Sequence, residues 1–234
     1  NRDEFLKIST NVIISSKDVV EIAEDKLLTA KYLKKLGLAV PLTKDLADFD
    51  ADEWRFPVLI KPRTHGARSK NVKIFQEIGQ LNNFLSFAEN TSNFVIQEYI
   101  GGEEFTCGSL TLDEKFFGVI PMRRILRDGD TYKCFSTRNQ PIESTVEKIC
   151  KSLCPFGALN VQLKLKNDIP YVFELNARCS GTTAARALCG FNEPKFIADF
   201  ILKNATTDLT VNPLTVLRYW NEVAVENSVI ESST

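Results

Sequence analysis

The chain has 234 residues, 44% hydrophobic, 25% charged and 10% aromatic, with a formal net charge of -1. That is enough for a sizeable globular core, and the near-neutral balance argues against the basic face of a nucleic-acid binder. No run reaches the roughly 18 apolar residues of a membrane span, and no signal peptide is visible.

Six cysteines, Cys107, Cys134, Cys150, Cys154, Cys179 and Cys189, are spaced irregularly. In a chain of this length they predict reduced thiols in a cytoplasmic protein rather than a disulfide framework. Cys150 and Cys154 stand one helical turn apart. With His65 as the single histidine, buried small side chains are expected there instead of zinc ligands. The chain opens Asn1-Arg2-Asp3 rather than with methionine, so a preceding segment is expected.

In chain order, residues 18–36 carry Leu28, Tyr32, Leu33 and Leu36 at helical spacing, with Gly37 where a helix stops. One helix is expected, then an extended exit. "FPVLIKP" (56–62) predicts a buried strand. With "VKIF" (72–75) it forms a hairpin over 58–75, with a long tip. A helix is expected over 77–89 and a strand in "NFVIQEYI". "EEFTCGSLTL" and "KFFGVIPMRR" predict a second hairpin turning at Asp113-Glu114, with a loop after it. Residues 143–154 read as helical, and "LNVQLKL" and "YVFELNA" flank "KNDIP" in a third hairpin. Helices are expected over 182–189 and 193–203, the second entered through Asn192 and Pro194. A loop at 204–213 and a last strand over 214–225 complete the chain. Hairpins interleaved with helices make this an α+β chain rather than a regular βαβ one.

The third hairpin carries the chemistry. If it closes symmetrically about Asp168, Gln162 faces Glu174 and Asn160 faces Asn176. Side chains alternate along a strand, so Asn160, Gln162, Lys164, Glu174, Asn176 and Arg178 share one face. Val161, Leu163, Leu165, Phe173 and Leu175 share the other. A carboxylate beside amide oxygens supplies hard ligands suited to Mg²⁺; a solvated amphipathic face is the commoner alternative. Taken singly, Lys26 reads as a solvated helix residue and Lys61 as a strand reaching water. Arg123, Arg124 and Lys133 read as a solvated strand end in preference to a site for an anionic acceptor.

The ordered set is more specific than any member. A lysine in a leading helix, a lysine ending a strand, "IQEYIGGEEF", then Gln162 and "ELNARCSG" resemble the ATP-grasp superfamily. Within it the likeness is to the carbamoyl-phosphate-synthase-like carboxylate–amine ligases, over about residues 25–200. "ELNARCSG" is similar to the family's E-x-N-P-R-x-S-G. The resemblance implies an ATP-grasp fold, two α+β lobes whose antiparallel sheets clasp ATP. The small lobe would span about 52–98 and the large lobe about 99–205 of an ATP-grasp domain over 18–234. Residues 1–17 would be the end of a preceding domain.

Carried over by position, Lys26 and Lys61 contact ATP phosphates. Glu98, with the backbone of Tyr99 and Ile100, frames adenine, and Glu104 holds the ribose hydroxyls. Gln162, Glu174 and Asn176 hold Mg²⁺ or Mn²⁺, with glutamine where many relatives have a second acid. Arg178 faces the transferred phosphoryl group, with Lys61 as the other catalytic cation. The implied enzyme is an ATP-dependent ligase: a small carboxylate becomes an acyl phosphate, and an amine-type acceptor displaces phosphate. A carbamoyl- or carboxy-phosphate-forming synthase subunit and a nucleotide-binding module without turnover are the alternatives. A homodimer is left open, and no nucleic-acid or membrane partner is expected.

Two departures stand out. The loop "THGARSKN" (64–71) has one glycine, Gly66, with Arg68 and Asn71 where relatives often have glycine. Asn71 tolerates a positive φ, while Arg68 and Lys70 offer charge in place of backbone donors. Ala177 replaces the motif's proline.

Overall fold

The computed structural model describes residues 2–66, 71–88 and 91–219. After a short helix α1 (Arg2–Leu6), the helix expected over 18–36 is two helices, α2 (Lys17–Glu24) and α3 (Lys26–Lys35). The break is Asp25, which leaves helical geometry at φ -94° and ψ 112°. Its carboxylate accepts the Leu27 and Leu28 N–H groups at 2.8 and 3.0 Å, capping the second helix. An aspartate inside an unbroken apolar period is a weak stop signal, so periodicity alone merges the two.

Strand β1 (Thr43–Asp45), too short for a pattern, precedes β2 (Val58–Pro62), β3 (Lys73–Phe75), α4 (Ile78–Phe87) and β4 (Phe94–Glu98). They make an antiparallel sheet in the order β1-β4-β2-β3, with the expected 58–75 hairpin at one edge. Val58 and Ile60 pack with Trp54, Phe75, Leu81 and Ile96 on one face. Alternation sends Leu59 and Lys61 to the other.

The second sheet comprises β5 (Glu103–Leu112), β6 (Lys115–Arg127), β7 (Asp130–Ser136), β8 (Gly157–Lys166), β9 (Ile169–Asn176) and β10 (Thr215–Leu217). Its order is β10-β7-β6-β5-β8-β9, every pairing antiparallel. In place of the loop expected after the second hairpin, β6 continues to Arg127 and turns into β7. Asp128 and Gly129, at φ 52° and 81°, form the two-residue turn that an Asp-Gly pair signals. Helix α5 (Gln140–Leu153) begins before the expected residue 143. Asn139 accepts the Ile142 N–H while its own N–H bonds to Glu143, a reciprocal cap. Helices α6 (Thr183–Leu188) and α7 (Glu193–Lys203) lie close to expectation. Of the last expected strand, residues 220–225 lie outside the described residues.

The third hairpin contains a correction. Asn167 and Asp168 both have positive φ, so the turn is two residues long and Lys166 pairs with Ile169. That register alone would misalign the polar face. A β-bulge at Phe173 restores it, and Gln162 meets Glu174 and Asn160 meets Asn176 as expected. Core and cleft therefore exchange one residue: Val172 is buried with Leu163 and Leu175, while Phe173 turns out of that core.

Helices α2, α3 and α5 cover one face of this sheet over Phe105, Cys107, Val161 and Leu163. On the opposite face, α6 and α7 cover only one end, over Leu110, Ile120 and Met122. The uncovered end faces the smaller sheet across a cleft. Of the pair expected to be buried, Cys150 is and Cys154 is exposed, because it caps the end of α5; Cys107, Cys134 and Cys189 are also buried and Cys179 is exposed. Burial raises the Cys107 thiol to about 12 and Cys150 to about 11, so both stay protonated. No helix among the described residues is long and apolar enough to cross a membrane.

Candidate active site

The cleft between the sheets is a cavity of about 460 Å³. Lys26, Lys61, Glu98, Tyr99, Ile100, Glu104, Gln162 and Glu174, all singled out in the sequence, line it together. Asn176 and Arg178 do not line it; they continue the same row beyond Glu174.

Neither lysine is solvated. Lys26, the first residue of α3, is 7% exposed and Lys61 is 5% exposed. The start of α3 is fastened to the end of β2: Lys26 N–H donates to Arg63 O at 3.0 Å. Arg63 donates to the Asp25 carboxylate at 2.8 Å and to Asp45 at 3.2 Å. Burial raises the Asp25 carboxyl, but the Arg63 bond and charge and the Leu27 and Leu28 amides outweigh it and hold it below the usual range. Arg63 thus positions Lys26. Lys61 spans the cleft, its Nζ 3.3 Å from the Phe173 carbonyl oxygen and 5.2 Å from that ring's centroid.

Burial lowers the Lys61 ammonium to about 8, with Lys26 adding repulsion, while the Glu174 and Glu104 carboxylates oppose the shift. The unfolded lysine titrates near 10.5, so between those values the unfolded chain holds more protons. The cost of the buried cation is fully present below pH 8, and the ligand-free protein gains stability as pH rises from 8 to 10.5. Lys61→Met is expected to remove that gain, about 3 kcal/mol at 1.36 per pKa unit. Urea unfolding at pH 7 and pH 10 checks it; equal gains in both proteins would refute the strained-cation assignment.

Across the open face runs one polar chain. Lys164 Nζ lies 2.8 Å from Glu104 Oε2, and Arg124 Nε and Nη2 reach Glu104 Oε1 at 2.8 and 2.6 Å. Burial raises the Glu104 carboxyl, but Arg124 and Lys164 outweigh it and hold it below its usual range. Arg124 Nη2 donates to Gln162 Oε1 at 2.7 Å, and Gln162 Nε2 to Glu174 Oε1 at 3.3 Å. Asn176 Nδ2 donates to the same oxygen at 3.0 Å, and Arg178 Nη2 to Asn176 Oδ1 at 3.2 Å. Among the described residues Glu174 Oε2 has no partner. The free carboxylate oxygen suits Mg²⁺. Both amides turn their NH₂ to Glu174 and their oxygens to Arg124 and Arg178, so to join it as oxygen ligands each amide would have to rotate.

Arg124, expected to be solvated, is therefore central to the site. Arg123 and Lys133 lie on the opposite face, Arg123 stacked 4.2 Å over Phe135 and paired with Glu103. Strand parity decides between the two arginines, and a bulge between Leu110 and Thr111 sets that parity. Gly118, at φ 152° beside the extra residue Phe117, is the one sequence signal for that bulge, since an isolated glycine within a strand often marks one. Lys164 and Phe173 are further lining residues to which no role was given.

At the hinge, Glu98 N–H donates to Leu42 O at 2.8 Å and its carboxylate accepts the Leu42 N–H at 3.2 Å. Tyr99 N–H donates to Pro57 O at 3.3 Å. This leaves the Ile100 N–H, among the described residues, as the hinge donor with no backbone acceptor. Leu59, Val72, Ile74 and Leu126 line the cavity with apolar surface. Asn71 has φ 62°, as its residue type allows, and His65 has φ 57°. Arg68 and Lys70 lie outside the described residues.

A family model described as an ATP-grasp domain matches residues 23–182. D-alanine–D-alanine ligase of Bacillus anthracis is 33% identical over 184 residues, 70% of this chain and 60% of that protein. The carbamoyl phosphate synthase large chain of Caldanaerobacter subterraneus subsp. tengcongensis is 27% identical over 197 residues, 77% of this chain and 18% of that one. The solved structure of the B. anthracis D-alanine–D-alanine ligase complexed with ATP has a TM-score of 0.64 and 24% identity, covering 86% of this chain and 72% of that one. The chain spans about 60% of the length of the D-alanine–D-alanine ligases it matches. Fold, residue order and matched stretch agree: the chain belongs to the ATP-grasp family.

Proposed function

We propose that this chain is the nucleotide-binding part of an ATP- and Mg²⁺-dependent ligase that activates a carboxylate for attack by an amine-type nucleophile. The observation that carries this is the cavity itself. Residues scattered from Lys26 to Glu174 converge there as two buried cations, an apolar wall and a carboxylate–amide edge. A relative in the family has been solved with ATP.

In this reading the base lies between Leu59, Ile74 and Leu126, with the Ile100 N–H and hinge carbonyls toward its edge. Glu104, held by Arg124 and Lys164, accepts from the ribose hydroxyls. Lys26 and Lys61 neutralise the phosphate oxygens, which also relieves the unfavourable burial of Lys61. Glu174, Asn176 and Gln162 would hold Mg²⁺, which supplies charge neutralisation at the phosphoryl oxygens. Arg178, at the end of the row, faces the transferring group. The substrate carboxylate oxygen attacks the γ-phosphorus and ADP departs. The nucleophile then attacks the acyl carbon, releasing phosphate. Protein groups supply positioning and fixed charge rather than covalent chemistry. Residues 52–98 act as the small lobe and 99–205 as the large lobe, although the smaller sheet begins earlier, at β1.

Calorimetry with a non-hydrolysable ATP analogue tests the reading. Saturable binding that disappears on chelating magnesium is expected; no binding by the folded chain would sink it. With ATP, ADP release stimulated by organic acids supports ligation, release by bicarbonate alone supports the carboxy-phosphate alternative, and binding without release supports a module lacking turnover.

A further inference from the structure

A second cavity, of about 500 Å³, opens beyond Arg178. Its walls are mostly apolar and partly open to solvent: Ile13 from the N-terminal segment, Phe156 before β8, Ala177 after β9, and Ile197, Ile201 and Leu202 along α7, with Asn11 and Cys179 as polar neighbours. The N-terminal segment is anchored there, since Phe156 N–H donates to Ser15 Oγ at 3.0 Å. No acidic residue lines this groove, and its single charge is Arg178.

Arg178 lines this groove alone, and the row Glu174, Asn176, Arg178 leads to it from the first cavity. One guanidinium nitrogen donates to Asn176 Oδ1 at 3.2 Å and another to Cys179 O at 3.0 Å. Among the described residues no carboxylate pairs with it. A planar cation with unused donors matches a carboxylate. Behind it the groove has the size of a small-molecule site. An anion seated on Arg178 would sit beside Asn176 and Glu174, next to the proposed phosphoryl group.

We infer that this groove holds the carboxylate substrate, and that the substrate's body is uncharged and apolar, about the size of a leucine or phenylalanine side chain. The assignment rests on the ligase reading for its link to chemistry. The composition of the groove sets the class. A second charge on the substrate body would be desolvated against Ile197, Ile201 and Phe156 with no counter-ion, so a dicarboxylate fits poorly. An amide of the same shape would forgo the ionic contact with Arg178.

The test measures binding of 4-methylpentanoate, 3-phenylpropanoate, succinate and 4-methylpentanamide by calorimetry and NMR shift perturbation. The chain is used both free and saturated with the magnesium–ATP analogue. Both apolar acids are expected to bind at least about tenfold more tightly than succinate or the amide. Ala198 lines the groove from an exposed helical position, so Ala198→Trp fills the groove without disturbing the core. It is expected to weaken the apolar acids at least about tenfold and to change analogue affinity less than about twofold. Failure of both acids to bind while the analogue binds would overturn this assignment alone. So would equal binding of succinate, or no effect of Ala198→Trp. Acid binding in a chain that binds no analogue would support the groove as a carboxylate site while removing the ligase reading.

Discussion

Glu174→Ala is expected to abolish magnesium-dependent nucleotide binding while leaving the fold in place. Glu174 is the only carboxylate of the proposed metal set. Its Oε1 collects Gln162 and Asn176, and its Oε2 is free for a cation. Alanine removes the ionic ligand and also a charge that supports the buried Lys61 ammonium, since the Glu174 carboxylate is the leading attraction opposing its desolvation. Loss of a supporting partner at a metal site typically costs about 10–100-fold in affinity, so loss of the ligand itself should reach at least about 100-fold. The side chain is only half-buried and faces the cleft, so the cost to folding should be about 1 kcal/mol or less. Calorimetry with the ATP analogue, paired with a urea melt, separates the two effects. Unchanged magnesium dependence in a folded variant would exclude Glu174 as a ligand.

Arg186→Met is the substitution expected to cost most stability. Arg186 is fully buried and paired at 2.7 Å with Glu193, also fully buried. The same guanidinium reaches Ser180 Oγ at 3.0 Å, Thr182 Oγ1 at 2.7 Å, Thr183 Oγ1 at 2.9 Å and Asn160 Oδ1 at 3.4 Å. Gly108 makes room for it, because a Cβ there would lie 2.2 Å from Arg186 Nε. Glu193 Oε2 already lacks a partner among the described residues. Removing Arg186 therefore strands a buried carboxylate, for which about 3–5 kcal/mol is typical. Arg186→Met with Glu193→Leu should recover much of that loss, since replacing both charges leaves neither unpaired. Urea unfolding of the single and double variants measures the coupling; a single-mutant loss under about 1 kcal/mol would contradict it. This arginine also fastens residues 180–183, just after Arg178, to Asn160 on β8, so it steadies the turn that presents Arg178.

Several features of the site were legible in the residues. Alternation across "ELN" and "VQL" placed Gln162, Glu174 and Asn176 on one surface, and the order of polar groups pointed to the family. The hairpins at 58–75 and at Asp113-Glu114 followed from apolar runs and turn residues. The Asp128-Gly129 pair carries an equally good turn signal, and β6 and β7 meet there instead of in a loop. Arg186 was not legible. A lone arginine within "TTAARAL" reads as solvated, and only the packing of α6 and α7 against the sheet encloses it.

The linear pattern thus determined which elements form, their alternating faces, and the identity and order of the groups that carry charge. It could do so because those properties depend on neighbours two to four residues apart. Tertiary structure alone decided the bulge at Phe173, the break at Asp25, the burial of Lys26 and Lys61, and which of Arg123 and Arg124 enters the cleft. Each depends on a contact made across the sheets or at the end of a strand. A one-residue shift there reverses the face of every side chain that follows.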